Sequence, residues 1–292
     1  MLWKIVSALI SEKQKRSLKT KVNAVKNRWA KTFFGYNAEA IAAALKGMGV
    51  VETDTLMVHA NFEPDSGFEG TPTDLVTALV DLVGKNGNLL MVSIPFRGSA
   101  YDYLLQNKPF HAKKTISMMG LVTEMFRRRS GTVRSLHPTH PVLVYGKDSA
   151  WTAADHATCL FPCGVGTPFD KFLQLKGKIL FFDVGFGAIT FFHYVEDLVK
   201  AKLPFPVYYD QKFSITVIGE KEDPQVVQTY AFTKGVVRDT KKLEEEMARQ
   251  GKIARRRVGN SRLILVNAED VVSVFTAMVE SGNYPYAVGS ES

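Results

Sequence analysis

Cysteine is almost missing from this sequence, with two residues in 292. That excludes a disulfide scaffold and points to a reducing compartment. No run of eighteen uncharged apolar residues occurs. The nearest, residues 179–195, is broken by Asp183 and His193 and reads as core strand and helix rather than a membrane span. There is no phosphate-binding P-loop and no G-x-G-x-x-G after a strand. Gly164-Val-Gly166 and Gly185-Phe-Gly187 are too short to cradle a phosphate alone and mark turns. His156, Cys159 and Cys163 have metal-like spacing but no fourth ligand nearby, so no metal is expected. Low complexity and internal repeats are absent as well.

What is present is an ordinary globular composition, 46% apolar and 23% charged, long enough to bury a sizeable core. The net charge of +8 is not spread evenly. Of 37 basic and 29 acidic side chains, nine and one lie in residues 1–32, which leaves 28 of each sign in a neutral body. Leu2, Ile5, Val6, Leu9 and Ile10 share one helical face, with Trp3 beside them, and lysines follow at once. This composition suits a helix lying on an anionic membrane, and equally a segment packed on its own domain or on a second subunit. No small-residue cleavage site follows, so a secretory signal is not expected. The tryptophans and lysines build no nucleic-acid module.

Residues 1–36 are therefore expected as a basic amphipathic extension and 37–292 as a single domain. Asn37 caps a helix to Gly47, and Thr71-Pro72 opens another that ends near Gly84. Further helices are expected at Met118–Arg129, from Thr167 to Leu175 and at Thr190–Ala201. Strands are expected at Thr55–Ala60, Asn88–Ile94, His140–Tyr145 and Lys178–Val184. The alternation predicts an α/β fold with a mostly parallel central sheet and flanking helices. After Pro204 the pattern changes. Val207–Ile218 and Gln225–Phe232 read as antiparallel strands, followed by helices near 239–250 and 268–281 around a strand at Leu263–Val266.

Two clusters could carry chemistry. Arg134-Ser-Leu-His-Pro-Thr-His140 puts two histidines around a stiffening proline before a strand, a setting suited to proton transfer at neutral pH. Thr190-Phe-Phe-His-Tyr-Val-Glu196 places His193 and Glu196 three apart, on one helix face. Taken alone, the first reads better as histidines satisfying backbone groups and the second as a solvent-facing pair.

Their order along the chain settles more. Leu56-Met-Val-His-Ala60, Met119-Gly-Leu, Phe126-Arg-Arg-Arg, Val133-Arg-Ser-x-His-Pro-Thr139, Gly164-x-Gly-Thr-Pro168 and Thr190-Phe-x-His-Tyr-x-Glu196 succeed one another. The set, spanning about residues 39–285, resembles the aminoglycoside 3-N-acetyltransferase family. The resemblance implies that family's own α/β fold and acetyl-CoA, or another acyl-CoA, as donor. It implies His137 as general base, with His193 and Glu196 lining the same pocket. His59, Ala60, Asn61, Val133, Arg134 and Ser135 would embrace the cofactor. Glu63, Asp65, Glu69 and Tyr194 are candidates for the acceptor.

One departure from the family shapes the expected acceptor. Where the resistance enzymes usually offer an aspartate to a cationic antibiotic, this chain has the uncharged Gly187-Ala-Ile189. Together with the cationic extension, this leads to the expectation of an N-acyltransferase acting on a nucleotide- or lipid-linked amino sugar in surface-polysaccharide synthesis. Such an enzyme would be cytoplasmic, held at the inner membrane face through residues 1–32, and open to homo-oligomer formation. The alternatives are an aminoglycoside 3-N-acetyltransferase conferring antibiotic resistance, and a non-catalytic membrane-surface protein of the same fold.

Overall fold

The computed structural model describes residues 11–63 and 65–287. In chain order the helices are α1 (Glu12–Phe34), α2 (Ala38–Lys46), α3 (Pro72–Val83), α4 (Ala100–Leu105), α5 (Leu121–Arg128), α6 (Ser149–Ala153), α7 (Pro168–Gln174), α8 (Phe192–Val199), α9 (Thr240–Arg249) and α10 (Ala268–Glu280). The strands are β1 (Thr55–Ala60), β2 (Asn88–Val92), β3 (Phe110–His111), β4 (Val133–Arg134), β5 (Val142–Gly146), β6 (Lys178–Phe182), β7 (Tyr208–Ile218), β8 (Pro224–Phe232), β9 (Val237–Arg238), β10 (Ala254–Val258), β11 (Ser261–Asn267) and β12 (Tyr286–Ala287).

The central sheet has the order β10-β11-β6-β1-β2-β5-β4. Its middle strands β6, β1 and β2 are parallel, and each added edge strand is antiparallel to its neighbour. Five of the seven strands consequently point the same way, as expected for this class. Strands β1 and β2 are apolar on both faces because both faces are covered. Leu56, Val58, Leu89 and Met91 pack with α2, α3 and α5, while Met57, Leu90, Ile179 and Phe181 face the helices of the C-terminal half. The antiparallel pair β7–β8 does not join this sheet; it forms a separate one with β3.

Local chemistry explains the boundaries. Thr71 caps α3 in a full capping box with Asp74, with Pro72 in the first turn. The helix expected from Met118 starts only at Leu121, since Gly120 holds φ +104°, a left-handed value that a helix cannot absorb. Strand β6 stops two residues early because Asp183 takes φ +52°. The short elements α4, α6, β3, β4, β9 and β12 went unforeseen, and so did β10. Strand β10 is a run of exposed arginines that pairs with β11 as a sheet edge. Helix α1 fills most of the basic segment. The apolar face expected within residues 2–10 lies outside the described residues. Among those described, no helix is long and apolar enough to cross a membrane.

Candidate active site

In an open α/β sheet, ligands gather beyond the carboxyl ends of the parallel strands, where successive connections leave in opposite directions. Here that point lies between β1, whose chain moves on to β2, and β6, whose chain leads towards the β10–β11 edge. Two cavities open at this end. One, of about 960 Å³, is lined by Glu63, Asp65 and Asp183 and faced by Arg255, Arg256, Arg257 and Arg262. The other, of about 320 Å³, is lined by Phe96, His140, His193, Phe232, Lys234 and Arg238 among others. The segment after β6 joins them, since Asp183 to Phe186 border the first and His193 borders the second.

Helix α8 brings His193 and Glu196 together. Glu196 is fully buried, and its carboxylate accepts from His193 Nδ1 at 3.0 Å, Arg238 Nε at 3.0 Å and the Tyr286 hydroxyl at 3.1 Å. Burial alone would raise this carboxyl; the bonds and charges of His193 and Arg238 outweigh it and hold the group below its ordinary range. Because a carboxylate only accepts, His193 Nδ1 carries the proton and Nε2 keeps its lone pair. Burial lowers the His193 pKa, partly offset by Glu196, so the ring is neutral at pH 7. His193 keeps about a quarter of its side chain exposed (23%), towards the smaller cavity. The carboxylate thus fixes tautomer and orientation of an imidazole that can accept a proton.

His137 is placed differently from the sequence expectation. It is fully buried, and its Nδ1 accepts from the backbone N–H of Thr139 at 3.2 Å and of His140 at 3.3 Å. Its Nε2 is enclosed and unpartnered, and the ring stacks on His156 at 4.6 Å. Burial, with His156 and His140 adding to it, pushes its pKa well below the usual value. The ring lines neither cavity, and through Nδ1 it pins the loop. What the loop presents is His140, which lines the smaller cavity and meets His193 edge to face at 6.0 Å. The second histidine of the His137-Pro-Thr-His140 segment was the available signal for it.

The expected cofactor-holding side chains are similarly committed. Arg134 donates to the carbonyls of Ala112, Thr115 and Ser93, and its guanidinium lies over the Phe110 ring. Burial first, then repulsion from Arg127, lowers its pKa to about 9. Ser135 Oγ accepts from Val142 N and donates to His156 Nδ1, both at 2.8 Å, while His156 Nε2 donates to the Pro162 carbonyl. Val133 pairs with Val144 in the sheet. Neither Arg134 nor Ser135 has a side chain free for phosphate. His156 and Cys163 are thus packing residues, and among the described residues no group of three or more His, Cys, Asp or Glu is placed to hold a metal.

At the end of β1, none of His59, Ala60 and Asn61 lines either cavity. The His59 ring stacks on Phe181 at 5.4 Å, with Nε2 buried and unpartnered, and burial lowers its pKa to about 4. Gly120 stands next to the Ala60 carbonyl, Asn61 N donates to the Phe182 carbonyl, and the Asn61 side chain bonds Glu63. Of the candidates for the acceptor, Glu63 and Asp65 line the larger cavity and Glu69 does not; it lies against Gly35. Tyr194 is buried and donates its hydroxyl to Asp170 at 2.7 Å, so it belongs to the core. Asp183, missed from the sequence, joins Glu63 and Asp65 there. Its carboxylate accepts from Ser261 Oγ at 2.6 Å and Arg262 N at 2.9 Å.

The family model described as aminoglycoside 3-N-acetyltransferase matches residues 57–280. Aminoglycoside N(3)-acetyltransferase III of Pseudomonas aeruginosa is 24% identical over 256 residues, covering 82% of this chain and 91% of that protein. Aminoglycoside N(3)-acetyltransferase VII of Streptomyces paromomycinus is 26% identical over 194 residues, 62% of this chain and 66% of that one. Among solved structures, aminoglycoside acetyltransferase AAC(3)-Xa shares the fold with a TM-score of 0.74 at 20% identity, over 90% of this chain and 99% of its own. AAC-IIIb in binary complex with CoASH follows at 0.71 and 21%, over 87% and 99%.

Proposed function

The chain belongs to the aminoglycoside 3-N-acetyltransferase family, an acetyl-CoA-dependent group of N-acetyltransferases, and from that premise we propose that it acetylates the 3-amine of an aminoglycoside. The family match overturns the expectation of a polysaccharide-synthesis enzyme acting on a nucleotide- or lipid-linked amino sugar. That expectation rested on the uncharged Gly187-Ala-Ile189 loop. Glu63 and Asp65 were acceptor candidates from the start; what it did not count is Asp183, which folds together with them in the larger cavity. A polycationic acceptor finds partners for its ammonium groups on that wall.

The observation that carries the reading is the His193–Glu196 pair. His193 Nε2 takes a proton from the acceptor nitrogen as that nitrogen attacks the thioester carbonyl. The C–N bond forms, the C–S bond breaks, and the proton passes from the imidazole to the departing CoA thiolate. Glu196 stabilises the transient imidazolium through Nδ1, and Arg238 and Tyr286 hold Glu196 in place. The wall formed by Arg255, Arg256, Arg257 and Arg262 matches the CoA phosphates in charge, although Arg255 already pairs with Glu244 at 2.7 Å. The smaller cleft, with its aromatic walls, receives the reacting ends of both substrates.

The test is thiol release from acetyl-CoA with an aminoglycoside offered in two forms. The free 3-amine form should yield stoichiometric CoA and a mono-acetylated product, and the form already acetylated at that position should yield background only. Equal release from both forms, or from neither, would remove the assignment.

A further inference from the structure

Helix α1 carries a face that the rest of the fold leaves open. Leu18, Val22, Val25, Trp29 and Phe33 recur at steps of four, three, four and four residues, which places them in one stripe. Every one is more than a third exposed, with Val25 at 69% and Phe33 at 66%. Ala30, by contrast, is fully buried and marks the side on which the helix rests on the body. At 100° per residue, Lys21 and Arg28 flank the stripe on one side, while Lys26, on the other, lies 3.9 Å from Asp65 of the body.

We propose that this face docks on an anionic lipid surface. The charge selects the occupant. Residues 12–34 hold eight basic side chains and Glu12 as their one acid, whereas the body from residue 33 onward is neutral. A second copy laid along the same stripe would bring two strongly cationic helices together. Anionic headgroups instead neutralise Lys21 and Arg28 while the apolar stripe enters the acyl boundary, with Trp29 at the interface. The segment lies outside the family match, which begins at residue 57, so the property is separate from the shared chemistry. The apolar Met1–Ile10 stretch precedes it in sequence and adds to the same tendency.

The experiment is co-sedimentation of the full chain with vesicles of phosphatidylcholine alone or mixed with phosphatidylglycerol, at low and high salt. The protein should pellet with the mixed vesicles, less so as salt rises. The double variant Val25→Glu, Phe33→Glu should partition at least about tenfold more weakly. So should Lys21→Glu, Arg28→Glu. Both variants should keep acetyl transfer to a soluble aminoglycoside, which reports that they are folded. Equal binding to both vesicle types, binding to neither, or unchanged binding of the variants would overturn the proposal. So would a lipid-free dimer, seen by sedimentation velocity, that the Val25→Glu, Phe33→Glu variant dissolves.

Discussion

Replacing His193 with alanine should lower kcat for acetyl transfer by about 10²- to 10⁴-fold, with little change in the affinity for acetyl-CoA. The acceptor nitrogen is an ammonium at neutral pH; one proton leaves to solvent to free the lone pair, and the attacking amine sheds a second as the C–N bond forms. His193 is the imidazole of the smaller cleft whose Nδ1 is bound to a carboxylate, which leaves Nε2 for that proton. The hole left by the ring lies at the cleft edge, so the fold should survive. The control is His137→Asn. Its loss of ring packing should reduce thermal stability while kcat per folded molecule stays within a few-fold of wild type. Steady-state thiol release, paired with thermal unfolding, separates the two. A His193→Ala enzyme within a few-fold of wild type would dismiss His193 as the base.

Glu196→Ala should be the most damaging single change to the folded state, costing on the order of 3–5 kcal/mol. The carboxylate is fully buried and satisfies three donors at once. Removing it strands the Arg238 guanidinium, whose Nη2 already lacks a partner, and orphans the Tyr286 hydroxyl. Activity should fall with it, because His193 loses both its orientation and the charge that supports its protonated form. Glu196→Gln should retain most of the stability by keeping the shape, yet still lose turnover. Denaturant unfolding of both variants checks this. A Glu196→Ala protein as stable as wild type would mean that the Arg238–Glu196–Tyr286 cluster is not structural. The pH sign is fixed by the direction of the shift. Glu196 sits below its ordinary value of 4.5, so its contribution is complete above that pH and is lost as the pH drops through its folded value.

The parts of this site written close together in the chain were legible in the sequence. His193 and Glu196 are three residues apart on a helix, and that spacing alone places them side by side. Thr71-Pro-Thr-Asp74 announced a helix start, and the apolar runs of β1, β2 and β6 announced buried parallel strands. What could not be read is what tertiary packing supplies. Arg238 and Tyr286 are 42 and 90 residues from Glu196 and reach it because β9 pairs with β12. His137 was expected as the base because the family resemblance implied it. Its role turns on the backbone N–H groups of Thr139 and His140, which the loop folds back onto Nδ1, and no residue pattern encodes that. Strand β10 was hidden for a different reason. An arginine run reads as solvated surface, and it is a strand only because β11 offers an edge. Asp183, isolated among apolar neighbours, became a cavity-lining carboxylate through a left-handed turn at the end of β6.

The central claim is that His193 stands neutral in the resting enzyme with its Nε2 lone pair facing the acceptor. Nitrogen-15 NMR of imidazole-labelled protein, with His193 assigned from the spectrum of a His193→Gln variant, measures this directly. The account predicts an Nδ1–H tautomer at pH 7 and protonation of Nε2 with a midpoint below the ordinary 6.5, since burial lowers the His193 pKa. It also predicts a shift of the Nε2 resonance when an aminoglycoside is added. An Nε2–H tautomer, an imidazolium persisting at pH 7, or an Nε2 resonance indifferent to the acceptor would contradict it.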